Sequence, residues 1–203
     1  MSLPSVARQL TISCGVIEPT LPSIDKPLRR SKGLPGEMLQ IIHVRDETEA
    51  DEVRLLVQDY IGWLFTVYAD HAEAIETYLA VQNVAGQMRE LLTRFAPPSA
   101  DCLLARLDGV PVGVAMTKRY SDTICEMNRV YVRDQARGHG VGRKLVEEIL
   151  ATGKALGYQQ MMLEVGPRHT EATALYRSFG FIEAQDLDGT GGGKPEIRFI
   201  RDL

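Results

Sequence analysis

The chain is poor in cysteine, in net charge and in long apolar runs, and each shortage removes a class of protein. Cys14, Cys102 and Cys125 are its three cysteines, an odd number with no CxxC pair among them. That argues against a disulfide scaffold and points to a reduced, cytoplasmic setting. The formal net charge is only -4, from 27 acidic and 23 basic residues. Nucleic-acid binders carry a basic excess, so no nucleic-acid partner is expected. No apolar run approaches the roughly 18 residues of a membrane span. The first residues lack a basic segment followed by an apolar one, so no secretory leader and no membrane association are expected. His43, His71, His139 and His169 are scattered without metal-ligand spacing, and no metal is expected. There is no internal repeat.

What remains, 44% hydrophobic and 25% charged over 203 residues, is the profile of one globular domain with an arm. Residues 1–36 hold five of the ten prolines and a small basic cluster, Lys26, Arg29, Arg30 and Lys32. Proline removes backbone donors and blocks regular elements, so this stretch reads as a flexible N-terminal arm. The folded domain is expected over residues 37–203.

From Met38 the pattern becomes regular. Met38 to Val44 reads as a strand. Thr48 to Val67 has helical spacing, with Val53, Leu56, Val57, Tyr60 and Leu64 on one side. His71 to Phe95 reads as a second helical stretch, closed by Pro97-Pro98. Cys102 to Leu107 and Val110 to Arg119 form a predicted hairpin around Asp108-Gly109, a strong turn pair. Thr123 to Val132 is the next strand. A helix follows from Gly140 to Leu156, with Val141, Leu145, Ile149, Thr152 and Leu156 on one side. Gly153 inside it is a mild cost. Arg143 with Glu147 and Lys144 with Glu148 stand at pairing distance. Gln159 to Val165 is a strand, and Thr170 to Phe179 a short helix stopped at Gly180. Phe181 to Ala184 and Ile197 to Ile200 are short strands, joined through the glycine loop Gly189 to Gly193.

The turn Arg137-Gly138-His139-Gly140-Val141-Gly142-Arg143-Lys144 follows a strand and opens a helix. A helix N-terminus exposes unpaired N–H groups and the positive end of the dipole, and glycines let an anion approach the backbone. The spacing is neither the P-loop GxxxxGK[ST] nor the dinucleotide GxGxxG. It fits [QR]xxGx[GA] at Arg137, Gly140 and Gly142. By itself the turn is also what a tight strand-to-helix connection requires.

Its flanks decide between the two. Cys125-Glu-Met-Asn-Arg-Val-Tyr-Val132 precedes the turn and Ala172-Thr-Ala-Leu-Tyr-Arg-Ser-Phe-Gly-Phe181 follows it. In order and spacing the segment Cys125 to Phe181 resembles the GNAT superfamily of acetyl-CoA-dependent N-acyltransferases; residues 1–36 lie outside the likeness. The resemblance implies an α/β (α+β) fold: a mixed, mostly antiparallel sheet, splayed at the central strand, with helices on both faces and acetyl-CoA in the splay. It implies that Val130, Tyr131 and Val132 pair through their backbone with the pantetheine arm. It implies that Gly138, His139, Gly140, Val141, Gly142 and Arg143 hold the pyrophosphate, and that Arg137 shapes the turn.

The implied reaction is attack of an amine on a thioester, with no metal. A lysine-like amine has a pKa of about 10.4, so only roughly 1 in 2,500 is neutral at pH 7 and a base must take the proton. Glu126 matches a position where many members carry that base. It stands six residues before Val132, which puts both side chains on one face unless a bulge intervenes. Glu164, on the next strand, is the competitor. Tyr176 matches the family's general acid, able to protonate a departing thiolate. His169 stands where the family often has asparagine and can donate to the pantetheine region.

The acceptor side is less legible. Asp51, Glu52, Asp59 and Asp70 could attract a cation or merely be solvated; Tyr60, Trp63 and Tyr68 could line a pocket or pack the core; the loop 189–193 could be a lid or a plain connection. The expected partners are acetyl-CoA, an amine acceptor and a second copy in a homodimer. Two other readings stand against an N-acetyltransferase: a non-catalytic acyl-CoA sensor, disfavoured by Tyr176 together with a strand glutamate, and a nucleotide-phosphate binder, disfavoured by the glycine spacing.

Overall fold

The computed structural model describes residues 38–184 and 196–203. The arm at 1–36 and the glycine loop 189–193 lie outside the described residues. The elements run β1 (Leu39–His43), α1 (Glu47–Val67), α2 (Ala72–Val81), α3 (Val84–Arg89), α4 (Leu91–Arg94), β2 (Asp101–Leu107), β3 (Val110–Arg119), β4 (Ile124–Val132), α5 (Val141–Ala155), β5 (Gln160–Val165), α6 (Thr170–Ser178), β6 (Ile182–Glu183) and β7 (Ile197–Asp202). The strands form one sheet in the order β1-β2-β3-β4-β5-β7-β6. Every pairing is antiparallel except β4 with β5. This is the mixed, mostly antiparallel sheet the resemblance implied.

Alternation along the strands builds a core on each face. Ala115, Cys125, Met127, Met161 and Leu163 pack under Val141, Leu145, Val146 and Ile149 of α5, and Tyr176 of α6 joins them. On the other face Leu104, Val114, Met116 and Tyr131 meet Val53, Leu56 and Val57 of α1 and Leu91 of α4. Each such aliphatic side chain, fully buried, contributes about 1.5–3 kcal/mol. The buried stripe of α5 is wider than the one read from sequence, since Val146 and Gly153 belong to it. Gly153 is there for space: a Cβ would sit 2.7 Å from Met161 Cε and 3.1 Å from Cys125 Sγ. Lys144 pairs with Glu148 at 2.8 Å as expected, whereas Arg143 turns to Ser178 Oγ at 3.3 Å.

Helix α1 opens with a capping box, in which the Asp46 carboxylate accepts from Glu49 N and Glu49 accepts from Asp46 N. A cap of this type contributes about 1 kcal/mol. The single helical stretch expected over 71–95 is three helices. Asn83 stands in the left-handed region at φ 47°, and its side chain accepts from Gly86 N to start α3. Asparagine tolerates that conformation because its short side chain bonds locally, and here the local bond outweighs continuation of α2. A further kink at Glu90 separates α3 from α4.

One buried polar group ties the start of the sheet together. Asp101 is 2% exposed, accepts from Arg45 Nη1 and Nη2 at 2.7 and 2.8 Å and from Cys102 N at 2.8 Å, and lies 2.9 Å from His43 Nδ1. Burial by itself would raise the carboxyl; the Arg45 bonds and the Cys102 N–H outweigh it and hold it below the ordinary value. A depressed folded-state pKa adds stability above the unfolded value near 3.9 that is lost as pH falls through the folded one. Asp101→Asn is therefore expected to lower stability at pH 7 by about 1–3 kcal/mol and to flatten its dependence on pH below about 4, which urea unfolding across pH 3–7 measures. Gly113 on β3 lies under α5, where a Cβ would stand 3.0 Å from the Tyr131 carbonyl oxygen and from Leu145 Cδ1. The carbonyl cannot move out of the sheet, so Gly113→Val is expected to cost about 1–3 kcal/mol through overpacking, visible as a lowered thermal midpoint.

Candidate active site

The site begins where the sheet stops pairing. β4 and β5 are registered only at Ile124, Cys125 and Glu126 against Gln160, Met161 and Met162. Beyond that the strands part, and residues 127–132 have an open edge. On its other edge β4 stays paired with β3, as Tyr131 opposes Val114 and Arg133 N donates to Val112 O. Backbone groups alternate sides along a strand, so those of Val130 and Val132 point into the opening.

A bulge shapes that strand. Between Met116–Asn128 and Val114–Tyr131 the register slips by one residue, with Arg129 in the left-handed region at φ 48°. An extra residue reverses the alternation. Glu126 therefore shares the α1 face with Asn128 and Tyr131, while Val130 and Val132 pack with the α5 core. The even spacing that would have placed Glu126 and Val132 on one face does not survive the bulge.

The opening is a cavity of about 630 Å³. One wall is the glycine turn. Gly138 and Gly140 have φ of 85° and 77°, a conformation that costs any residue with a Cβ. α5 carries no side-chain cap, in contrast to α1, so its first N–H groups remain for an anion. Arg137 and Arg143 flank the turn. The Arg137 guanidinium bonds Asp134 at 3.0 Å and lies 5.9 Å over the Trp63 ring, and that of Arg143 lies 5.0 Å over Phe179. Open N–H groups, positive-φ glycines and two arginines fit a pyrophosphate, and the open β4 edge fits an extended amide-bearing arm.

The opposite wall holds Tyr176 on α6, buried and set edge-on to Phe181 at 5.9 Å. Burial pushes its phenol up, so it stays protonated. His169 precedes α6, with its ring 4.9 Å from Trp63 and 5.7 Å from Tyr68. Burial lowers its pKa and favours the neutral form, and its Nε2 is buried without a hydrogen-bond partner among the described residues. The loop before it is latched to α1, since Arg168 bonds Asp70 twice at 2.6 Å and Val67 O at 2.8 Å.

The two glutamates diverge. Glu164 lines the cavity and is held by Arg198 Nη2 at 2.7 Å. Glu126 lies outside the lining, with Lys118 Nζ 3.1 Å from its carboxylate. Of Gly138 through Arg143, His139 is the one not on the cavity wall. Tyr60 and Trp63 do line it, so α1 contributes to the site as well as to the core. Asp51, Glu52, Asp59 and Asp70 are each taken by an arginine, namely Arg54, Arg106, Arg133 and Arg168. Asn128 and Arg129 also line the cavity and were not singled out from sequence. Their signal was faint: two adjacent polar residues in a strand whose other charged residue is Glu126. Among the described residues no cluster of His, Cys, Asp and Glu could hold a metal, and no helix is long and apolar enough to cross a membrane.

Known proteins place this arrangement. Residues 68–181 match the model of the acetyltransferase (GNAT) family. An uncharacterized N-acetyltransferase of Schizosaccharomyces pombe is 32% identical over 145 residues, covering 70% of this chain and 82% of that protein. An acetyltransferase of the GNAT family from Staphylococcus aureus superposes with a TM-score of 0.65 at 16% identity, over 82% of this chain and 99% of that one. The PaiA N-acetyltransferase of Thermoplasma acidophilum, solved in complex with coenzyme A, does so with a TM-score of 0.62 at 15% identity, over 82% and 99%. The family match spans more than half of the 203 residues and agrees with the splayed sheet and its glycine turn: the chain belongs to the GNAT acetyltransferase family and is an acetyl-CoA-dependent N-acetyltransferase.

Proposed function

We propose that the acceptor is a primary amine and that Glu164 and Tyr176 move the protons of the transfer. The observation that carries this reading is that both line one cavity with the open β4 edge and the uncapped glycine turn. Donor and acceptor then meet there together, and the acetyl group passes directly between them. The backbone of Val130 and Val132 receives the extended arm of acetyl-CoA as an added strand, and the N–H groups of Gly138 through Arg143 hold its pyrophosphate. Arg137 shapes that turn, and Tyr131, whose backbone faces β3, holds the strand beside the arm.

Acetyl-CoA supplies the acetyl group as a thioester. Glu164 takes the proton of the incoming ammonium, directly or through one water, which frees the nitrogen lone pair. As the N–C bond forms, the Val132 N–H donates to the carbonyl oxygen on which negative charge develops. As the C–S bond breaks, Tyr176 gives its proton to the departing sulfur, whose thiol form has a pKa of about 8.5, and the second proton that the nitrogen sheds on becoming an amide restores the phenol. His169 donates or accepts at the edge of the pantetheine region through its unpartnered Nε2. Each glutamate has a cationic partner, Lys118 for Glu126 and Arg198 for Glu164; Glu126 is favoured less as the base because it lies outside the cavity lining.

Release of the CoA thiol from acetyl-CoA across a panel of amines tests this. Glu164→Gln and Tyr176→Phe are each expected to lower kcat by about 10²-fold or more with the KM for acetyl-CoA little changed, whereas Glu126→Gln is expected to cost less than Glu164→Gln. Unchanged turnover in Tyr176→Phe would remove the acid assignment, and a larger loss in Glu126→Gln would move the base. Gly140→Ala forces a Cβ into the left-handed region at a cost of about 1–2 kcal/mol. It is expected to raise the KM for acetyl-CoA while leaving the relative rates among amines as they were.

A further inference from the structure

The cavity contains a cation that the transfer chemistry leaves unused. Arg129 stands at the bulge of β4, partly buried, with its guanidinium 5.9 Å over the Phe95 ring. Among the described residues no carboxylate is paired with it. Its hydrogen bonds there come from Nη1 alone, to Asn128 Oδ1 at 3.4 Å and Met116 Sδ at 3.9 Å. Nε and Nη2 have no such partner. Glu126, whose charge the guanidinium feels, is engaged by Lys118. Burial disfavours the charged form, yet an arginine keeps its proton in proteins. Even a partly buried cation without an anion is costly, so the site is incomplete as it stands.

A second observation points the same way. Among the described residues Asn128 Nδ2 is buried without a hydrogen-bond partner, while its Oδ1 faces Arg129 Nη1. That contact fixes the amide orientation and leaves the NH₂ as the unmet group. Asn128 and Arg129 line the same cavity as Glu164 and Tyr176, beside Tyr60 of α1. Two neighbouring groups thus offer only donors, one of them charged and forked. The chemistry that satisfies both is an oxyanion with two acceptor atoms.

We propose that the amine acceptor also carries a carboxylate, and that Arg129 and Asn128 receive it while Glu164 faces the amine. The acceptor class is then amino carboxylates of low molecular weight, and Arg129 is a specificity-determining residue. This rests on the cavity being the transfer site. The bulge supports it structurally: without the extra residue, Arg129 would follow the alternation and lie on the α5 face with Met127.

The test pairs α-amino acids, β-alanine and γ-aminobutyrate with their carboxamides as acceptors for acetyl-CoA. For the best acceptor, kcat/KM is expected to favour the carboxylate over the carboxamide on the order of 100-fold, because the carboxamide leaves the guanidinium unpaired. Arg129→Met is expected to collapse that ratio toward one. Arg129→Lys, which keeps the charge and loses the fork, should give an intermediate ratio. A ratio near one in the unaltered protein, or one that Arg129→Met leaves in place, overturns the proposal. A second arm needs no turnover. Trp63, the single tryptophan, lines the cavity, so its emission reports entry. With CoA present, N-acetylated amino acids should change that emission in the unaltered protein and not in Arg129→Met, whose response to CoA itself shows that it is folded. Arg129-dependent carboxylate binding without any acetyl transfer would uphold this inference and sink the transfer reading. Transfer with no carboxylate preference would do the reverse.

Discussion

The structure depends on the early end of the β4–β5 ladder. Three residue pairs hold the two strands together, and from Met127 onward the backbone of β4 is satisfied on one edge only. Unpaired N–H and C=O groups inside a fold are costly, so this edge has to be met by water or by a ligand with its own amides. The glycine turn continues from the end of that strand, which puts an uncapped helix start at the far end of the same groove. A ligand with an extended amide arm and a terminal pyrophosphate satisfies both at once. The groove is thus defined by a deficit of backbone partners more than by a set of side chains.

Around that groove the packing is conservative. α5 covers one face and α1 the other, each over its own core. Rigidity in those cores lets the gap between β4 and β5 persist without collapsing. The Arg168–Asp70 pair and the Tyr68 hydroxyl, 3.3 Å from Arg168 N, tie the mouth of the gap to the end of α1. Both partners of that ion pair are exposed, so it contributes by orientation more than by free energy.

Most of the elements could be read from hydrophobic spacing and turn chemistry. Asp108-Gly109 marked the hairpin, and both residues have positive φ, as a two-residue turn demands. The long stretch after residue 71 misled, because helical spacing persists across Asn83 while one left-handed residue redirects the chain. The glycine turn was legible for a related reason: an uncapped helix start with positive-φ glycines is set by a fixed local order, and local order is what a sequence displays. The lining of the rest of the cavity was not. The resemblance put Glu126 ahead of Glu164, whereas the cavity is lined by Glu164 and not by Glu126.

The sequence by itself determined the strand–glycine turn–helix unit, the tyrosine helix after it and the family, since each rests on contacts within a few residues. Tertiary structure alone decided where the sheet opens, which glutamate faces the cavity and that Arg129 lies there without an anion among the described residues. The physical reason is parity. A strand assigns its side chains to faces by counting residues, and a single bulge, stabilised by packing far away in sequence, changes the count for everything beyond it.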